Sequence, residues 1–148
     1  MFHIIDDEKE VGLVLAEIIA SVGYPARTFE SGGSYLDYFH SSGWSQPIAI
    51  ISDYNMPGLN GDQLVRIIRQ QAPKQKIIML TALPESVKTH DCLCKIHRKP
   101  YQVENLIRTL TALADCDKKY AATARHNDDS VMCEFGLGHR CPFAGHDQ

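Results

Sequence analysis

The chain has 148 residues, of which 44% are hydrophobic, so it is long enough for one compact domain with its own core. A formal net charge of -3 excludes a general attraction to nucleic acid, and no apolar run approaches the roughly 18 residues needed to span a bilayer. Charged residues near the start argue against a secretory signal, and five cysteines, an odd number, are most simply reduced thiols, so we expect a cytoplasmic protein.

Short apolar runs and amphipathic segments alternate along the chain. The predicted strands cover residues 4–5, 25–30, 48–51 and 77–80, with a fifth leading into Arg98. Several of these runs do not alternate with polar residues, which is typical of strands buried on both faces of a parallel sheet. The predicted helices lie between the strands, over residues 11–22, 34–40, 61–72, 83–92 and 103–114.

The regular alternation of strand and helix predicts an α/β fold, a five-stranded parallel sheet in a doubly wound sandwich. The helical pattern over residues 83–92 is the shortest and is barely amphipathic. Polar residues without a repeat follow residue 114. We therefore predict one domain over residues 1–116 and an irregular or partly disordered tail over residues 117–148.

Polar side chains stand at the ends of the predicted strands. Asp6 and Asp7 follow the first strand, Asp53 follows the third, Thr81 the fourth, and Lys99 comes after the last. The carboxyl ends of parallel strands share one edge of an open sheet, so we expect these side chains to converge. Three close carboxylates repel one another unless a cation joins them, and their oxygens suit Mg²⁺. A carboxylate nucleophile, Mg²⁺, a hydroxyl and an amine together describe phosphoryl transfer to Asp53.

These motifs, in this order, resemble the receiver domain of two-component response regulators. They are the acidic pair Asp6-Asp7, "SDYNMPGLNG" around Asp53, "MLTA" with Thr81 and "RKPY" with Lys99, and the resemblance covers residues 1 to about 115. It implies a flavodoxin-like (βα)5 sandwich. It also implies that Asp53 accepts a phosphoryl group from a sensor histidine kinase or a phosphotransfer protein.

The resemblance assigns a role to each side chain at the metal. It implies that Asp7 and Asp53 bind Mg²⁺ directly, together with the backbone carbonyl of Asn55. It implies that Asp6 holds the metal through water. Asp6 and Asp7 could otherwise cap the first helix, a reading that the residues alone leave open.

The resemblance also implies that Thr81 and Lys99 contact the phosphoryl oxygens, and that the peptide bond between Lys99 and Pro100 is cis. Two positions matter for how the family's switch operates here. Ile96 stands where receivers usually carry Tyr or Phe, and it has no ring to reorient, which puts the usual switch in question. Leu83 should hinder the entry of the hydrolytic water, so we expect at most slow autodephosphorylation.

The predicted function is that of a stand-alone response regulator, a phosphoacceptor and not an enzyme. Its output would be contact with an unidentified downstream protein, and a homodimer is compatible with the sequence. We predict no direct contact with nucleic acid or with a membrane. Two alternatives are open: a degenerate receiver that binds partners without phosphate, and an aspartyl-phosphate phosphohydrolase. The second alternative needs an acid/base two residues after the nucleophile, where this chain has Asn55.

The C-terminal tail contains four residues that could hold a second metal. Cys133, His139, Cys141 and His146 offer two thiols and two imidazoles, which is the ligand set of a tetrahedral Zn²⁺ site. Their spacing matches no common zinc finger, however. An ordinary tail without a metal is the better-supported prediction.

Overall fold

The computed structural model describes residues 1–123, with side chains described as far as residue 118. Five parallel strands form one sheet in the order β2-β1-β3-β4-β5, which confirms the predicted fold class. The strands are β1 Phe2–Ile5, β2 Ala26–Phe29, β3 Ile50–Asp53, β4 Ile77–Thr81 and β5 Lys95–Arg98.

Helices cover both faces of the sheet, and the three central strands β1, β3 and β4 are buried along their whole length. Alternate strand residues enter opposite cores: Ile4 and Ile51 pack with the first and last helices, and Ile5 and Ile50 pack with the other two. This arrangement explains why the strands read as continuous apolar runs. The helices are α1 Lys9–Ser21, α2 Gly32–Phe39, α3 Gly61–Gln71 and α4 Val103–Thr123.

The connection between β4 and β5, residues 82–94, is here named the crossover. The prediction of an α-helix over residues 83–92 is wrong. The crossover contains two 3-10 turns instead, Pro84–Ser86 and His90–Cys92. Its buried apolar side chains are Val87, Leu93 and Cys94, which form no continuous apolar stripe that could hold a helix against the sheet. Near β5, the face of the sheet that α2 and α3 cover elsewhere is therefore covered by turns.

The last helix is longer than predicted, since it ends at Thr123 and not near residue 114. Beyond the core residue Leu113 it continues to Asp117, whose carboxylate lies 3.2 Å from the ammonium of Lys76. The predicted boundary between residues 116 and 117 stays a prediction, because most of the predicted tail lies outside the described residues. No helix within residues 1–123 has both the length and the apolar character needed to cross a bilayer.

Candidate functional site

Three acids meet at the carboxyl edge of the sheet, as the sequence predicts. Asp53 is the last residue of β3, and Asp6 and Asp7 follow β1, the strand that pairs with β3. One carboxylate oxygen from each of the three lies within 4.8 Å of the others. Asp6 and Asp53 are buried and Asp7 is exposed. The cluster therefore has two sheltered acids and one acid that opens to solvent.

Asp6 is a buried carboxylate of which one oxygen accepts a hydrogen bond. The backbone N–H of Glu8 donates to Oδ1 at 2.9 Å, whereas no group of the described residues hydrogen-bonds to the buried Oδ2. Burial raises the pKa of Asp6; the Glu8 N–H opposes this effect in part, and the charge of Asp53 adds to it. The N-cap residue of α1 is Glu8, so Asp6 does not cap that helix.

Lys99 supplies the positive charge at this edge. Its Nζ lies 2.8 Å from Oδ1 of Asp53 and 4.0 Å from Oδ2 of Asp6. Burial by itself lowers the pKa of Lys99, but the hydrogen bond and charge of Asp53 outweigh it and leave the pKa raised. The peptide bond between Lys99 and Pro100 is cis, as predicted, and the backbone N–H of Lys99 donates to the carbonyl of Thr81 at 2.8 Å.

Thr81 and Asn55 lie in the segments that border the acids. Thr81 ends β4, beside β3, and is buried with its Oγ1 accepting a hydrogen bond from the N–H of Leu83 at 3.1 Å. The Thr81 hydroxyl thus keeps its own proton free for another acceptor. Asn55 is exposed in the loop between β3 and α3. The sheet therefore brings Thr81 to the predicted edge, with its hydroxyl engaged in the turn that follows β4.

The acidic cluster has the donor chemistry that a hard cation requires. Its three residues, Asp6, Asp7 and Asp53, offer only carboxylate oxygens, which suit Mg²⁺. The unpartnered Oδ2 of Asp6 is a buried acceptor that a metal-bound water would satisfy. The residues present therefore fit Mg²⁺. The predicted Zn²⁺ ligands Cys133, His139, Cys141 and His146 lie outside the described residues.

A further buried carboxylate close to the site is absent from the sequence prediction. Asp62, in the first turn of α3, is only 3% exposed and accepts a hydrogen bond from the hydroxyl of Tyr54 at 3.0 Å. Tyr54 is the residue next to Asp53. The sequence does show an acidic residue at the start of the α3 pattern. An Asp in the first turn of a helix is usually explained by its favourable interaction with the helix dipole, so it does not indicate a buried carboxylate.

A family model, the response regulator receiver domain, matches residues 2–111. The chain belongs to this family. The curated relatives include the DNA-binding transcriptional regulator NtrC of Klebsiella pneumoniae, 34% identical over 79 residues, which are 53% of this chain and 16% of that protein. Response regulator RppA of Synechocystis is 29% identical over 82 residues, 55% of this chain and 35% of RppA. This receiver domain thus spans only a minor part of these relatives.

Solved structures of receiver domains superimpose on the same fold. A receiver domain protein from Clostridium thermocellum gives a TM-score of 0.70 at 22% identity, covering 80% of this chain and 96% of that one. The response regulator TrrA from Thermotoga maritima, solved with Mg²⁺-BeF, gives 0.66 at 27% identity, covering 76% and 96%. Chemotaxis response regulator CheY4 of Vibrio cholerae gives 0.67 at 24% identity, covering 76% and 96%.

Proposed function

We propose that this receiver domain accepts a phosphoryl group on Asp53 from a phosphohistidine of a histidine kinase or a phosphotransfer protein. The observation that carries the proposal is the position of Asp53, at a strand end within 4.8 Å of two other acids and 2.8 Å from Lys99. A carboxylate oxygen of Asp53 attacks phosphorus and the P–N bond of the donor breaks. The imidazole nitrogen keeps the electron pair of that bond and takes a proton.

The remaining site residues have roles that follow from their chemistry. Lys99, kept cationic by its raised pKa, offsets negative charge on the phosphoryl oxygens. The Thr81 hydroxyl can donate its proton to one of those oxygens. Asp6, Asp7, Asp53 and the carbonyl of Asn55 would hold Mg²⁺. When bound, the metal supplies positive charge that reduces repulsion between the acids and the incoming phosphoryl group.

The binding of Mg²⁺-BeF named for TrrA supports this assignment, since beryllofluoride on a carboxylate imitates a phosphoryl group. A stand-alone mode of action, with output through contact with another protein or through a homodimer, belongs to the same proposal, as do a cytoplasmic location and slow autodephosphorylation. Leu83, whose side chain is 51% exposed, brings an apolar surface next to Thr81 and supports the last of these.

Intact-mass measurement tests the acceptor directly. On incubation with acetyl phosphate and Mg²⁺, the wild-type chain should gain the mass of one phosphoryl group, and Asp53→Asn should gain none. The control Asp37→Asn changes an exposed acid of α2 and should be phosphorylated like the wild type. An unchanged wild-type mass, with a donor that is not consumed, would favour a degenerate receiver. Rapid, continuous consumption of the donor would favour a phosphohydrolase.

A further inference from the structure

The crossover lacks a helix, so something other than a packed helix has to keep it in place. Three of its apolar side chains, Val87, Leu93 and Cys94, reach the core. Between Val87 and Leu93, two side chains of α3 bind the backbone: Asp62 accepts from the N–H groups of Lys88 and Thr89, and Arg69 donates through Nη2 to the carbonyl of Cys92. The N–H of Lys88 donates to both carboxylate oxygens of Asp62 at 3.1 Å, and the N–H of Thr89 donates to Oδ1 at 2.9 Å.

Side-chain hydroxyls complete the contacts of the same carboxylate. Thr89, 5% exposed, donates through Oγ1 to Oδ1 of Asp62 at 2.6 Å, and Tyr54 donates to Oδ2 at 3.0 Å. The Tyr54 hydroxyl also lies 3.4 Å from the carbonyl of Ser86, inside the crossover. Both oxygens of Asp62 therefore accept hydrogen bonds, from Tyr54 before α3 and from Lys88 and Thr89 in the crossover.

Asp62 is held as a carboxylate in this position. Burial alone raises its pKa, but the hydrogen bonds from Thr89, Lys88 and Tyr54 outweigh burial and leave the pKa lowered. Its place in the first turn of α3 also suits a negative charge. Hydrogen bonds to an ionised acceptor are about twice as strong as neutral ones. Asp62 is thus a charge-assisted restraint on the part of the crossover nearer to Thr81, whereas Arg69 binds its far end at Cys92.

The restrained segment begins at the proposed phosphoryl site. Thr81 ends β4, and its Oγ1 accepts from the N–H of Leu83, so the position of that hydroxyl depends on where the crossover starts. From Leu83 the chain runs through one 3-10 turn to Lys88, where Asp62 holds it. Because this segment is short, fixing it at Lys88 limits the positions that Leu83 can adopt.

We propose that Asp62 is a positioning residue for phosphorylation: by holding the crossover at Lys88 and Thr89, it keeps the Thr81–Leu83 turn where the Thr81 hydroxyl can meet the phosphoryl group. The proposal rests on the proposed function, because it assumes that Thr81 contacts a group on Asp53. The acids that would hold Mg²⁺ lie at the ends of β1 and β3, outside the crossover. Loss of the restraint should therefore weaken the binding of the phosphoryl group and leave metal binding intact.

The test is a titration of the full chain with beryllofluoride at saturating Mg²⁺, followed by NMR, with a separate Mg²⁺ titration. Thr89→Val preserves the shape of the side chain and removes one donor, and Asp62→Asn removes the charged acceptor. We expect the beryllofluoride Kd to rise about threefold to tenfold in Thr89→Val, and further in Asp62→Asn, with an unchanged Mg²⁺ Kd. The amide signals of Lys88 and Thr89 should exchange faster with solvent in both variants.

The matched control is Thr109→Val. Thr109 is a buried threonine of α4, on the opposite face of the sheet, and its hydroxyl lies 2.9 Å from Nε2 of His97. This variant should lose stability without a change in the beryllofluoride Kd. Equal beryllofluoride affinities in all the variants would overturn the proposal, as would a parallel loss of Mg²⁺ affinity. A wild-type chain that binds no beryllofluoride with Mg²⁺ would instead refute the proposed function, and this inference with it.

Discussion

At the scale of single residues, the site is governed by how buried charges are balanced. Asp53 has an ammonium partner at 2.8 Å in Lys99, whereas Asp6 is more than an ångström farther from the same nitrogen, at 4.0 Å. Asp6 is also buried, with one oxygen unpartnered. An unbalanced buried charge costs stability, and a cation bound nearby restores it. The buried charge of Asp6 therefore lowers the stability of the metal-free domain, and bound Mg²⁺ should offset that cost.

We accordingly expect Asp6→Asn to raise the free energy of unfolding by about 1 kcal/mol at neutral pH in the presence of a chelator. An amide still accepts from the Glu8 N–H but carries no charge to bury. Added Mg²⁺ should stabilise the wild type and have a smaller effect on the variant. Thermal unfolding with and without Mg²⁺ measures both effects, and the exposed Asp37→Asn serves as the control.

The pH dependence has a definite sign. The folded-state pKa of Asp6 lies above its ordinary value of 3.8, so the folded chain binds this proton more readily than the unfolded chain does. The destabilising contribution of Asp6 is present above the raised pKa and disappears as the pH falls through it. The stability difference between wild type and Asp6→Asn should therefore shrink on acidification. A difference that grows at lower pH would contradict the assignment.

Ile96 stands where receiver domains usually carry Tyr or Phe. It lies in β5, on the face of the sheet covered by α2 and α3, and packs against the core on that face. It is partly buried, next to a crossover that contains turns where a helix was predicted. That the absence of an aromatic ring at Ile96 alters the family's switch stays a prediction.

At the scale of elements, α3 is the support for both the acceptor loop and the crossover. It begins with a capping box, in which Asn60 and Gln63 each satisfy a backbone N–H of the other. Gly61 follows, with its N–H bonded to the carbonyl of Tyr54 at 2.9 Å. A Cβ at Gly61 would lie 2.6 Å from the sulfur of Met79 and 3.1 Å from the Cα of Tyr54. Close approach of the chain explains this glycine, since β3, β4 and α3 meet there.

Gly61→Ala should lower the free energy of unfolding by about 1–3 kcal/mol, because the added methyl forces Met79 and the backbone of Tyr54 to move. The matched change is Gly33→Ala in α2, where a Cβ meets nothing closer than 3.8 Å. That variant should be neutral or slightly stabilising, since alanine favours a helix more than glycine does. Denaturant unfolding of the two variants gives the comparison, and equal effects would show that crowding at Gly61 is unimportant.

At the scale of the whole molecule, the last helix connects the two ends of the domain. Its apolar side packs on α1 and the sheet through Leu106, Leu110 and Leu113. Further along, Asp117 meets Lys76, a side chain only 7% exposed at the start of β4. Asp117, which belongs to an aperiodic polar stretch in the sequence, therefore lies in α4 and contacts the sheet region.

We expect Asp117→Asn to cost about 1 kcal/mol of stability, because it removes a carboxylate from a largely buried ammonium while Asp117 itself stays half exposed. Asp115→Asn, on the same helix, is the control and should change stability little. Urea unfolding at low and at high salt measures the effect, which salt should screen only partly. Equal stability of the two variants would place Asp117 outside the cooperative unit.

The sequence by itself determined the sheet, the edge at which the polar residues gather and the acids that share it. Those features follow from local rules: apolar runs between amphipathic helices require parallel strands, and parallel strands put their carboxyl ends on one side. The approach of Asp6, Asp7 and Asp53 was predictable for this reason. The cis bond before Pro100 came instead from the family resemblance.

Only the tertiary structure decided how the crossover is built and what holds it. The pattern in residues 83–92 was only weakly amphipathic, and the segment forms two 3-10 turns held by contacts with α3 that the sequence does not record. The contact of Asp62 with Thr89 joins segments 27 residues apart, and that of Lys76 with Asp117 joins segments 41 apart. A buried carboxylate looks like any surface acid in the sequence until packing supplies its donors, since its partners are chosen by proximity in space and not by spacing along the chain.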